Sequence, residues 1–320
     1  MNAATPRLDA PGASHAVVVG GGTMGADVAV VLARALCRTT VIEPDAGRAQ
    51  ALPARARANL RAAGREAGAD RIGVVPTLDD VDWATVDLVI ECIPERLDLK
   101  QVLFADLVRR ARPDAILASN SSSFPISAIG DGLDTRGRML GLHFFMPAHL
   151  VPLVEVVLGA ASDGACADAL IAFMRRCGMV PVRVAQDLPG FLANRLQHAL
   201  SREAFDLIDR GIATPEDVDA AVRFGFGFRF LAAGPVMQRD HAGIEVHAAA
   251  GATMYPTFCN SDVPARCLTE RAQDGRHGMK AGEGFYKWTP EAIQAERARY
   301  DRLLRAGLDL VSAELPEIKP

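Results

Sequence analysis

Two ionisable residues in the middle of the chain each interrupt an apolar run that is typical of a strand. In the run GLHFFMPAHLVPLVEVV, residues 141–157, His143 and Glu155 stand among residues that favour buried β-strand. An unpaired carboxylate in a core is costly, because nothing replaces the water that it loses. A histidine paired with the glutamate lowers this cost, and such a histidine is a suitable general base for the proton of an alcohol. The pattern predicts a buried His143–Glu155 dyad, although each residue alone would have an ordinary structural explanation.

A glycine-rich turn near the start of the chain predicts a dinucleotide site. Gly20, Gly22 and Gly25 follow a predicted strand and open a predicted helix, with Thr23 and Met24 before the last glycine. The first glycine permits the tight turn, and the second lets the backbone approach a pyrophosphate. The third lets the helix pack closely on the strand, and the helix N-terminus favours the negative charge of the ligand.

The residue that ends the second predicted strand bears on the choice of cofactor. Glu43 stands where a carboxylate accepts the hydroxyls of the adenosine ribose. A carboxylate at this position repels a 2′-phosphate, so the sequence favours NAD over NADP. Arg48, five residues later, could attract that phosphate and leaves NADP open as the alternative.

Three consecutive serines, Ser121–Ser123, follow the fifth predicted strand, at the edge where doubly wound sheets bind ligands. A serine, a histidine and an acid would also suit a hydrolase, but the sequence has no Gly-x-Ser-x-Gly elbow. A dinucleotide site beside a general base indicates hydride transfer instead, in which the cofactor carries the chemistry and the protein orients it.

The elements that must position these residues alternate along the first half of the chain. Eight short apolar strands are predicted, at 15–19, 39–43, 72–75, 87–92, 115–120, 139–145, 152–157 and 179–185. Helical segments between most of them are typical of a parallel sheet covered on both faces, a Rossmann-type α/β fold. After residue 186 the strands stop and apolar residues recur at helical spacing. We therefore predict an NAD-binding domain over 1–186 and an all-α domain over 187–320.

The bulk properties are those of a soluble enzyme of two domains. The 320 residues exceed one ordinary domain, and a formal net charge of −4 gives no basic field for nucleic acid. No apolar stretch is long enough to span a membrane, and the polar N-terminus has no signal core. The six cysteines include no Cys-x-x-Cys pair, which favours a cytoplasmic location and predicts no metal site.

Eight segments, in their order along the chain, resemble the L-3-hydroxyacyl-CoA dehydrogenase family. They are GGGTMG, ECIPERLDLK, SNSSSF, GLHFF with a proline two residues later, PLVEVV, DLPGFLANRL, RGIATPEDVD and GMKAGEGFYKW. Their joint order and spacing are specific, whereas any single segment is not. The resemblance implies an NAD-dependent oxidoreductase that converts an L-3-hydroxyl to a 3-ketone and serves fatty acid metabolism. It also implies a homodimer, with 187–320 as the substrate and dimerisation domain.

The resemblance also implies roles for residues around the substrate. His143 is similar to the catalytic base of the family, and Glu155 is similar to its carboxylate partner. Ser122, the middle serine, matches a hydroxyl that contacts both the substrate oxygen and the cofactor. Asn194 matches an amide that positions the substrate, although alone it would be interpreted as a helix cap.

Three charged residues match cofactor contacts of the family. Glu95 and Lys100 match residues that line the nicotinamide ribose, and Lys280 matches a cofactor-contacting lysine from the second domain. Without the resemblance, the first two would be interpreted as helix-surface charges and Lys280 as a loop charge.

Two departures from the family pattern concern the far end of the substrate. Met146 stands where the family has an asparagine, and the arginine-rich helix after Glu43 is shorter than the arm with which acyl-CoA enzymes hold coenzyme A. Arg57, Arg61 and Arg65 fall at helical spacing and predict one shared face. That face could meet CoA phosphates, or it could be a solvated surface.

A branch of the same superfamily acts on free 3-hydroxy acids and includes L-gulonate dehydrogenase (λ-crystallin-like) and L-carnitine dehydrogenase. The stretches HLVPLVEVV, NRLQHALSREAFDLIDRGI and FGFGFRFLAAGP resemble that branch. We expect a CoA-linked L-3-hydroxyacyl substrate first, with a free 3-hydroxy acid as the alternative. A non-catalytic dinucleotide-binding or crystallin-like protein is a third interpretation, which the joint presence of His143, Glu155, Ser122 and Asn194 disfavours.

Overall fold

The computed structural model describes Leu8 and residues 10–320. The chain divides into two compact units, of which the first comprises its described residues up to Asn194 together with Ser312–Pro320. The second unit comprises Arg195–Val311. The predicted domain boundary after residue 186 stays a prediction, and residues 1–7 and 9 of the predicted first domain lie outside the described residues.

One eight-stranded sheet forms the centre of the first unit. Its strands are β1 (His15–Val19), β2 (Arg38–Ile42), β3 (Ile72–Val75), β4 (Leu88–Glu91), β5 (Ile116–Ser119), β6 (Met139–Phe144), β7 (Leu153–Leu158) and β8 (Val180–Val184). Their order is β3-β2-β1-β4-β5-β6-β7-β8, so the direction of winding reverses between β1 and β4. Ligands of doubly wound sheets bind beyond the carboxyl ends of the strands at such a switch point. The Rossmann-type prediction is confirmed, and each predicted strand end lies within one residue of the observed one.

One strand departs from the predicted parallel arrangement. β7 runs antiparallel to β6, whereas the other neighbouring strands of the described sheet are parallel. The segment 145–152 that joins β6 to β7 is too short for the crossover that a parallel pair requires. The resulting register pairs His143 directly with Glu155 across the two strands.

Helices cover both faces of the sheet. On one face α1 (Thr23–Ala33), α2 (Ala46–Ala62) and α5 (Gly164–Arg176) pack in one apolar cluster, and on the other face α3 (Leu97–Arg110) and α4 (Ile126–Ile129) pack in a second cluster. Short 3-10 turns occur at Pro11–Ala13, Glu66–Arg71, Leu78–Asp80, Trp83–Thr85 and Arg136–Arg138. Two separate apolar faces, both covered, explain why the central strands are apolar along their whole length.

The helix that carries the arginines is shorter than predicted. α2 ends at Ala62, so Arg57 and Arg61 lie on the helix but Arg65 follows it. The predicted face of three arginines is therefore wrong in its last member. Arg65 precedes the 3-10 turn Glu66–Arg71, which leads directly into β3.

The second unit is helical, as predicted. Its helices are α6 (Ala193–Asp209), α7 (Pro215–Ala220), α8 (Met237–Ala242), α9 (Ile244–Met254), α10 (Arg266–Gln273) and α11 (Pro290–Leu310), and α6 starts in the first unit. A π-helical turn occurs at Ala221–Phe226, and 3-10 turns occur at Phe228–Leu231 and Tyr255–Thr257. A last 3-10 turn, Ser312–Glu314, lies in the first unit. Thr214 caps α7 through a reciprocal pair of bonds with Asp217, as the run TPED indicates. Over the described part of the chain, no helix combines the length and the apolar character needed to cross a membrane.

Candidate active site

His143 and Glu155 form a closed pair at the carboxyl end of β6. Nδ1 of His143 lies 2.6 Å from Oε2 of Glu155, and both side chains are buried. The second oxygen, Oε1, accepts hydrogen bonds from the backbone amides of Leu192 (3.0 Å) and Ala193 (2.8 Å). Nε2 of His143 makes no hydrogen bond with any residue that the structure describes. The arrangement therefore leaves one ring nitrogen for a ligand.

The surroundings of Glu155 keep its carboxylate ionised. Burial would raise the pKa of Glu155, but the hydrogen bonds from His143 and from the amides of Ala193 and Leu192 outweigh burial and hold the pKa below its ordinary value. An ionised Glu155 accepts the proton of Nδ1–H, and this leaves the lone pair of the neutral imidazole on Nε2. The pair can therefore present a basic nitrogen and stabilise its protonated form.

The turn that supplies the two amides was not predicted. Gly190 and Phe191 have φ angles of 78° and 49°, a region that a bulky residue adopts only under strong constraint. Phe191 is buried, and its ring centroid lies 5.5 Å from that of the His143 imidazole. The turn dipeptide Pro189-Gly190 was the available signal in the sequence, but nothing in it indicates that the next amides bind Glu155.

Ser121–Ser123 wrap around one carboxylate oxygen. Oε1 of Glu95 accepts hydrogen bonds from the hydroxyls of Ser121 (2.6 Å) and Ser123 (2.6 Å) and from the amides of Ser122 (3.1 Å) and Ser123 (3.0 Å). Partial burial would raise the pKa of Glu95, but these bonds and the charge of Lys100 lower it to about 2. The exposed Ser122 hydroxyl has no hydrogen-bond partner among the described residues. The middle serine is thus the one whose hydroxyl is available to a ligand.

Lys100 lies buried behind this loop. Its Nζ is 2.6 Å from Oε1 of Glu91, 3.2 Å from Oε2 of Glu95 and 3.4 Å from the carbonyl oxygen of Ile93. Glu91 is fully buried, and its other oxygen accepts the hydroxyl proton of Ser119 at 2.5 Å. Three acceptors match the three protons of an ammonium group. Lys100 therefore fixes Glu95 from behind in this structure, whereas the resemblance implied a direct cofactor contact.

Asn120 ties the serine loop to the strand of the base. Its Oδ1 accepts a hydrogen bond of 2.9 Å from the amide of Phe144, the residue after His143. Sequence reasoning missed this role, because the partner lies 24 positions away and Asn120 only appeared as the end of a strand.

The glycine turn has the shape that a pyrophosphate requires. Gly20 has a φ of +103°, and a Cβ there would lie 2.8 Å from the carbonyl oxygen of Cys92. A Cβ on Gly25 would lie 1.8 Å from the carbonyl oxygen of Gly20, so turn and helix are in direct contact. At Gly22 a Cβ would meet no described atom within 4 Å, which leaves open space beside the backbone. Thr23 and Met24 follow in the first turn of α1, whose amide groups favour an anion.

Glu43 is buried against this turn. Its Oε2 accepts the amide proton of Gly21 (3.1 Å), and its Oε1 accepts from the amide of Asp45 (2.8 Å) and the guanidinium of Arg48 (3.0 Å). The carboxylate is fixed where a dinucleotide-binding fold receives the adenosine ribose. The glycine turn and Glu43 together fit NAD.

The two predicted residues from the C-terminal half lie in different units. Asn194 lies in the first turn of α6, next to Ala193, whose amide binds Glu155. Its side chain is half-buried and makes no hydrogen bond with any residue in the described ranges. Lys280 is exposed in the second unit, in a loop closed by a bridge between Gly278 and Glu283.

Residues 15–188 match the NAD-binding domain of 3-hydroxyacyl-CoA dehydrogenase, and residues 190–288 match the C-terminal domain of 3-hydroxyacyl-CoA dehydrogenase. The 5-formyl-3-hydroxy-2-methylpyridine 4-carboxylate 5-dehydrogenase of Mesorhizobium japonicum is 34% identical over 290 residues, covering 88% of this chain and 94% of that protein. A 3-hydroxybutyryl-CoA dehydrogenase of Mycobacterium tuberculosis is 34% identical over 280 residues, covering 85% of this chain and 97% of that protein.

A solved structure of 5-formyl-3-hydroxy-2-methylpyridine 4-carboxylic acid 5-dehydrogenase, an NAD⁺-dependent dismutase, is similar in fold. Its TM-score is 0.86 at 30% sequence identity, and the match covers 92% of this chain and 98% of that one. The two family matches together span most of the sequence, in the order of the two structural units. The chain therefore belongs to the 3-hydroxyacyl-CoA dehydrogenase family, and it is an NAD-dependent oxidoreductase that acts on a CH–OH group.

Proposed function

We propose that the chain oxidises the hydroxyl group of a substrate that carries a free carboxylate, with His143 as the general base and Glu155 as its partner. The hydrogen-bonding geometry of the His143–Glu155 pair is the observation that supports these catalytic roles. One ring nitrogen of His143 is held by an ionised carboxylate, and the other has no hydrogen-bond partner in the described part of the chain.

In the proposed reaction, Nε2 of His143 takes the hydroxyl proton of the substrate. Bound NAD would supply the acceptor for the hydride that leaves the carbon bearing this hydroxyl. Glu155 stabilises the imidazolium that results, and the amides of Leu192 and Ala193 prevent the carboxylate from turning away. Ser122 and Asn194 would donate hydrogen bonds to substrate oxygens, and preorganised donors of this kind stabilise charge that develops in a transition state.

For the cofactor, we propose contacts from Gly20, Gly22, Thr23, Met24, Gly25, Glu43, Glu95, Ser122 and Lys280. The pyrophosphate would lie on the glycine turn, whose open side at Gly22 supports this placement. The adenosine ribose would meet the buried carboxylate of Glu43. Lys100 would act at the cofactor through Glu95, which it holds at 3.2 Å.

Two observations support a free carboxylate over coenzyme A. The Mesorhizobium japonicum relative is named for a pyridine 4-carboxylate, and it aligns with 88% of this chain. In addition, the helical arginines are already paired with acids of the next turn. Arg57 lies 2.8 Å from Asp70, and Arg61 donates to both oxygens of Glu66, at 2.7 and 3.0 Å. CoA phosphates would have to displace these carboxylates.

The second candidate is a CoA thioester of an L-3-hydroxy acid. The Mycobacterium tuberculosis relative favours it, since that protein is named a 3-hydroxybutyryl-CoA dehydrogenase and aligns with 85% of this chain. A CoA preference would also support a place in fatty acid metabolism.

A substrate panel separates the candidates. Turnover would be compared for acetoacetyl-CoA with NADH, and for L-carnitine, L-gulonate and 5-formyl-3-hydroxy-2-methylpyridine 4-carboxylate with NAD, at equal concentrations of the two cofactors. We expect a free acid to give the highest kcat/KM. A kcat/KM for acetoacetyl-CoA above that of every free acid would establish the second candidate instead.

We further propose that a second copy of the chain covers the second unit, giving a homodimer. Of its residues, all of which the structure describes, only Gln238, Gly251 and Cys267 are buried in the single chain. Large apolar side chains are exposed there, among them Phe224, Phe228 and Val236. Exposed apolar side chains of this kind support the proposal of an interface. Sedimentation should show a dimer, and a monomer at micromolar concentration would remove the proposal.

We also propose a cytoplasmic location, because all six cysteines are free thiols and disulfides rarely form in a reducing compartment. Burial raises the pKa of Cys37 to about 12, which keeps this thiol protonated and unreactive. Immunoblotting of separated cell fractions would test the location, and recovery of the protein outside the cytoplasmic fraction would contradict it.

A further inference from the structure

A buried aspartate interrupts the apolar helix that follows the glycine turn. Asp27 is only 1% exposed, whereas its helical neighbours from Gly25 to Ala33 are buried glycine and aliphatic residues. Its Oδ1 accepts a hydrogen bond of 2.6 Å from Nη2 of Arg55. Its Oδ2 lies 3.2 Å from Nδ1 of His149, without the alignment of a hydrogen bond, and neither atom has another partner among the described residues. A buried carboxylate that is only half satisfied is costly and calls for an explanation.

Asp27 holds an arginine that still has free donors. The side chain of Arg55 is 43% exposed, and both contacts of its guanidinium, to Asp27 and to the carbonyl oxygen of Thr23 at 3.4 Å, use Nη2. Within the described residues, Nε and Nη1 of Arg55 make no hydrogen bond. Nε and Nη1 lie on either side of Cδ, so they can donate separate charge-assisted hydrogen bonds to a ligand, whereas the paired edge of Nε and Nη2 is already engaged by Asp27.

The cluster joins elements that carry the two halves of the proposed site. Thr23, which Arg55 contacts, is the first residue of α1 after the glycine turn. His149 lies in the segment between β6 and β7, six residues after His143. An anion on Arg55 would thus lie against the cofactor helix and the segment that begins just after the base.

We propose that Arg55, fixed by Asp27 and flanked by His149, binds the free carboxylate of the substrate. This assignment rests on the proposed function, for which it supplies the recognition of the acid group. The ion pair with Asp27 limits the motion of the guanidinium, so little conformational entropy remains to be lost on binding. Asp27 holds Arg55 through Oδ1, and its Oδ2 is left without a hydrogen bond among the described residues.

Arg57 is the matched control for Arg55. Both arginines lie on α2, and their side chains are similarly exposed, at 43% for Arg55 and 46% for Arg57. The partners differ, since Asp27 is buried whereas Asp70 is exposed. Mobile surface pairs of the second kind contribute little to stability or position. Arg55 should therefore recognise an anion and Arg57 should not.

The test measures binding rather than turnover. Acetoacetate and its uncharged methyl ester would be titrated calorimetrically into the protein saturated with NAD, because a ketone and oxidised cofactor cannot exchange hydride. We expect the wild type to bind acetoacetate about tenfold or more tighter than the ester, in keeping with one charge-assisted hydrogen bond. Arg55→Gln should bring the two affinities within about twofold, and Arg57→Gln should keep the wild-type ratio.

Other outcomes overturn the proposal. If the wild type shows no preference for acetoacetate over the ester, Arg55 is excluded as the carboxylate site. The same holds if the wild type shows the preference and Arg55→Gln keeps it. A weaker affinity of Arg55→Gln for NADH, with the preference for acetoacetate unchanged, would assign Arg55 to a cofactor phosphate. A selective loss of affinity for acetoacetyl-CoA would assign it to CoA phosphates.

Asp27→Asn is the second variant, because it keeps the shape of the side chain but removes its charge. We expect it to retain part of the preference for acetoacetate, and a full preference would show that Asp27 does not fix Arg55. A different measurement distinguishes failure of the proposed reaction from failure of the proposed carboxylate site. Turnover in His143→Ala reports on the dyad, whereas these affinities report only on the acid group.

Discussion

Two histidine–carboxylate pairs have their histidines on β6 or in the segment 145–152 that follows it. They differ in how many of the carboxylate oxygens are hydrogen-bonded. In the His143–Glu155 pair the nitrogen and oxygen are 2.6 Å apart, and both carboxylate oxygens are hydrogen-bonded. In the His149–Asp27 pair the separation is 3.2 Å, and the facing atoms are not aligned. The closed pair fixes one nitrogen and leaves one for chemistry. The open pair fixes an arginine and leaves its donors for recognition.

The largest expected effect separates the two histidines. His143→Ala should lower kcat by about a hundredfold or more, the usual cost of losing a general base, and should leave NADH affinity nearly unchanged. His149→Ala should change kcat little and act on KM for a free acid. Steady-state kinetics with a fluorescence titration of NADH measures both. Wild-type turnover by His143→Ala at pH 7 would contradict the role of His143 as the general base.

The next effect concerns the charge of Glu155. Glu155→Gln should lower kcat by about tenfold or more, because an amide N–H facing Nδ1 favours the wrong imidazole tautomer and cannot stabilise an imidazolium. Asp27→Asn should lower kcat less and raise KM for a free acid more. Equal kcat losses in the two variants would mean that the closed pair has no special role.

The pH dependence of stability gives a second measurement on Glu155. Its pKa in the folded chain is lowered from 4.5, so as the pH falls below that value the unfolded chain takes up the proton first. The contribution of Glu155 to stability is present above pH 4.5 and is lost as the pH falls through the lower folded pKa. Urea unfolding near neutral and acid pH should show a smaller acid loss for Glu155→Gln than for the wild type. An unchanged acid loss would contradict the lowered pKa.

The sheet and the closed pair could be predicted from sequence because both depend on local pattern. Apolar runs between helical segments fix strands to within one residue, and two polar residues inside such runs already identify His143 and Glu155. The antiparallel direction of β7 was accessible too, since only residues 145–152 join it to β6. The all-parallel interpretation ignored the length of that connection.

The cluster of Asp27, Arg55 and His149 could not be predicted, because its three members come from three separate elements. Asp27, Arg55 and His149 carry no shared spacing, and only the packing of α1 against α2 and the segment after β6 brings them together. Lys100 shows the same limit. A lysine in a helix is ordinarily solvated, and here burial follows from Glu91 at the end of β4, nine positions earlier.

Glu43, at the proposed cofactor site, is a third carboxylate that can be compared with Glu155 and Asp27. Glu43 pairs with Arg48 as Asp27 pairs with Arg55, but each oxygen of Glu43 has a hydrogen-bond partner. Glu43→Ala should narrow the preference for NAD over NADP in kcat/KM by about fivefold, which corresponds to roughly the 1 kcal/mol between two unit charges about 4 Å apart in water. The variant removes repulsion of a 2′-phosphate and releases Arg48.

Adding Arg48→Ala to Glu43→Ala tests the role of the released arginine. The double variant should lose most of the gained NADP activity, whereas Arg48→Ala alone should leave the preference for NAD intact. A wild type that used NADP better than NAD would refute the role of Glu43 altogether.

The smallest expected effect concerns the paired arginines on the exposed face of α2. Arg57 and Arg61 bind Asp70 and Glu66, and all four side chains are at least 41% exposed. Exposed pairs of this kind contribute about 0–1 kcal/mol, yet a phosphate must still displace the carboxylates to gain a contact. We expect Arg57→Gln and Arg61→Gln to change KM for acetoacetyl-CoA by less than about twofold, with little dependence on salt. Unpaired cations that bound CoA phosphates would instead give a KM that rises steeply between low and high ionic strength. A steep rise in the wild type that both variants abolish would show that this face holds coenzyme A, and it would favour the thioester over the free acid as the substrate.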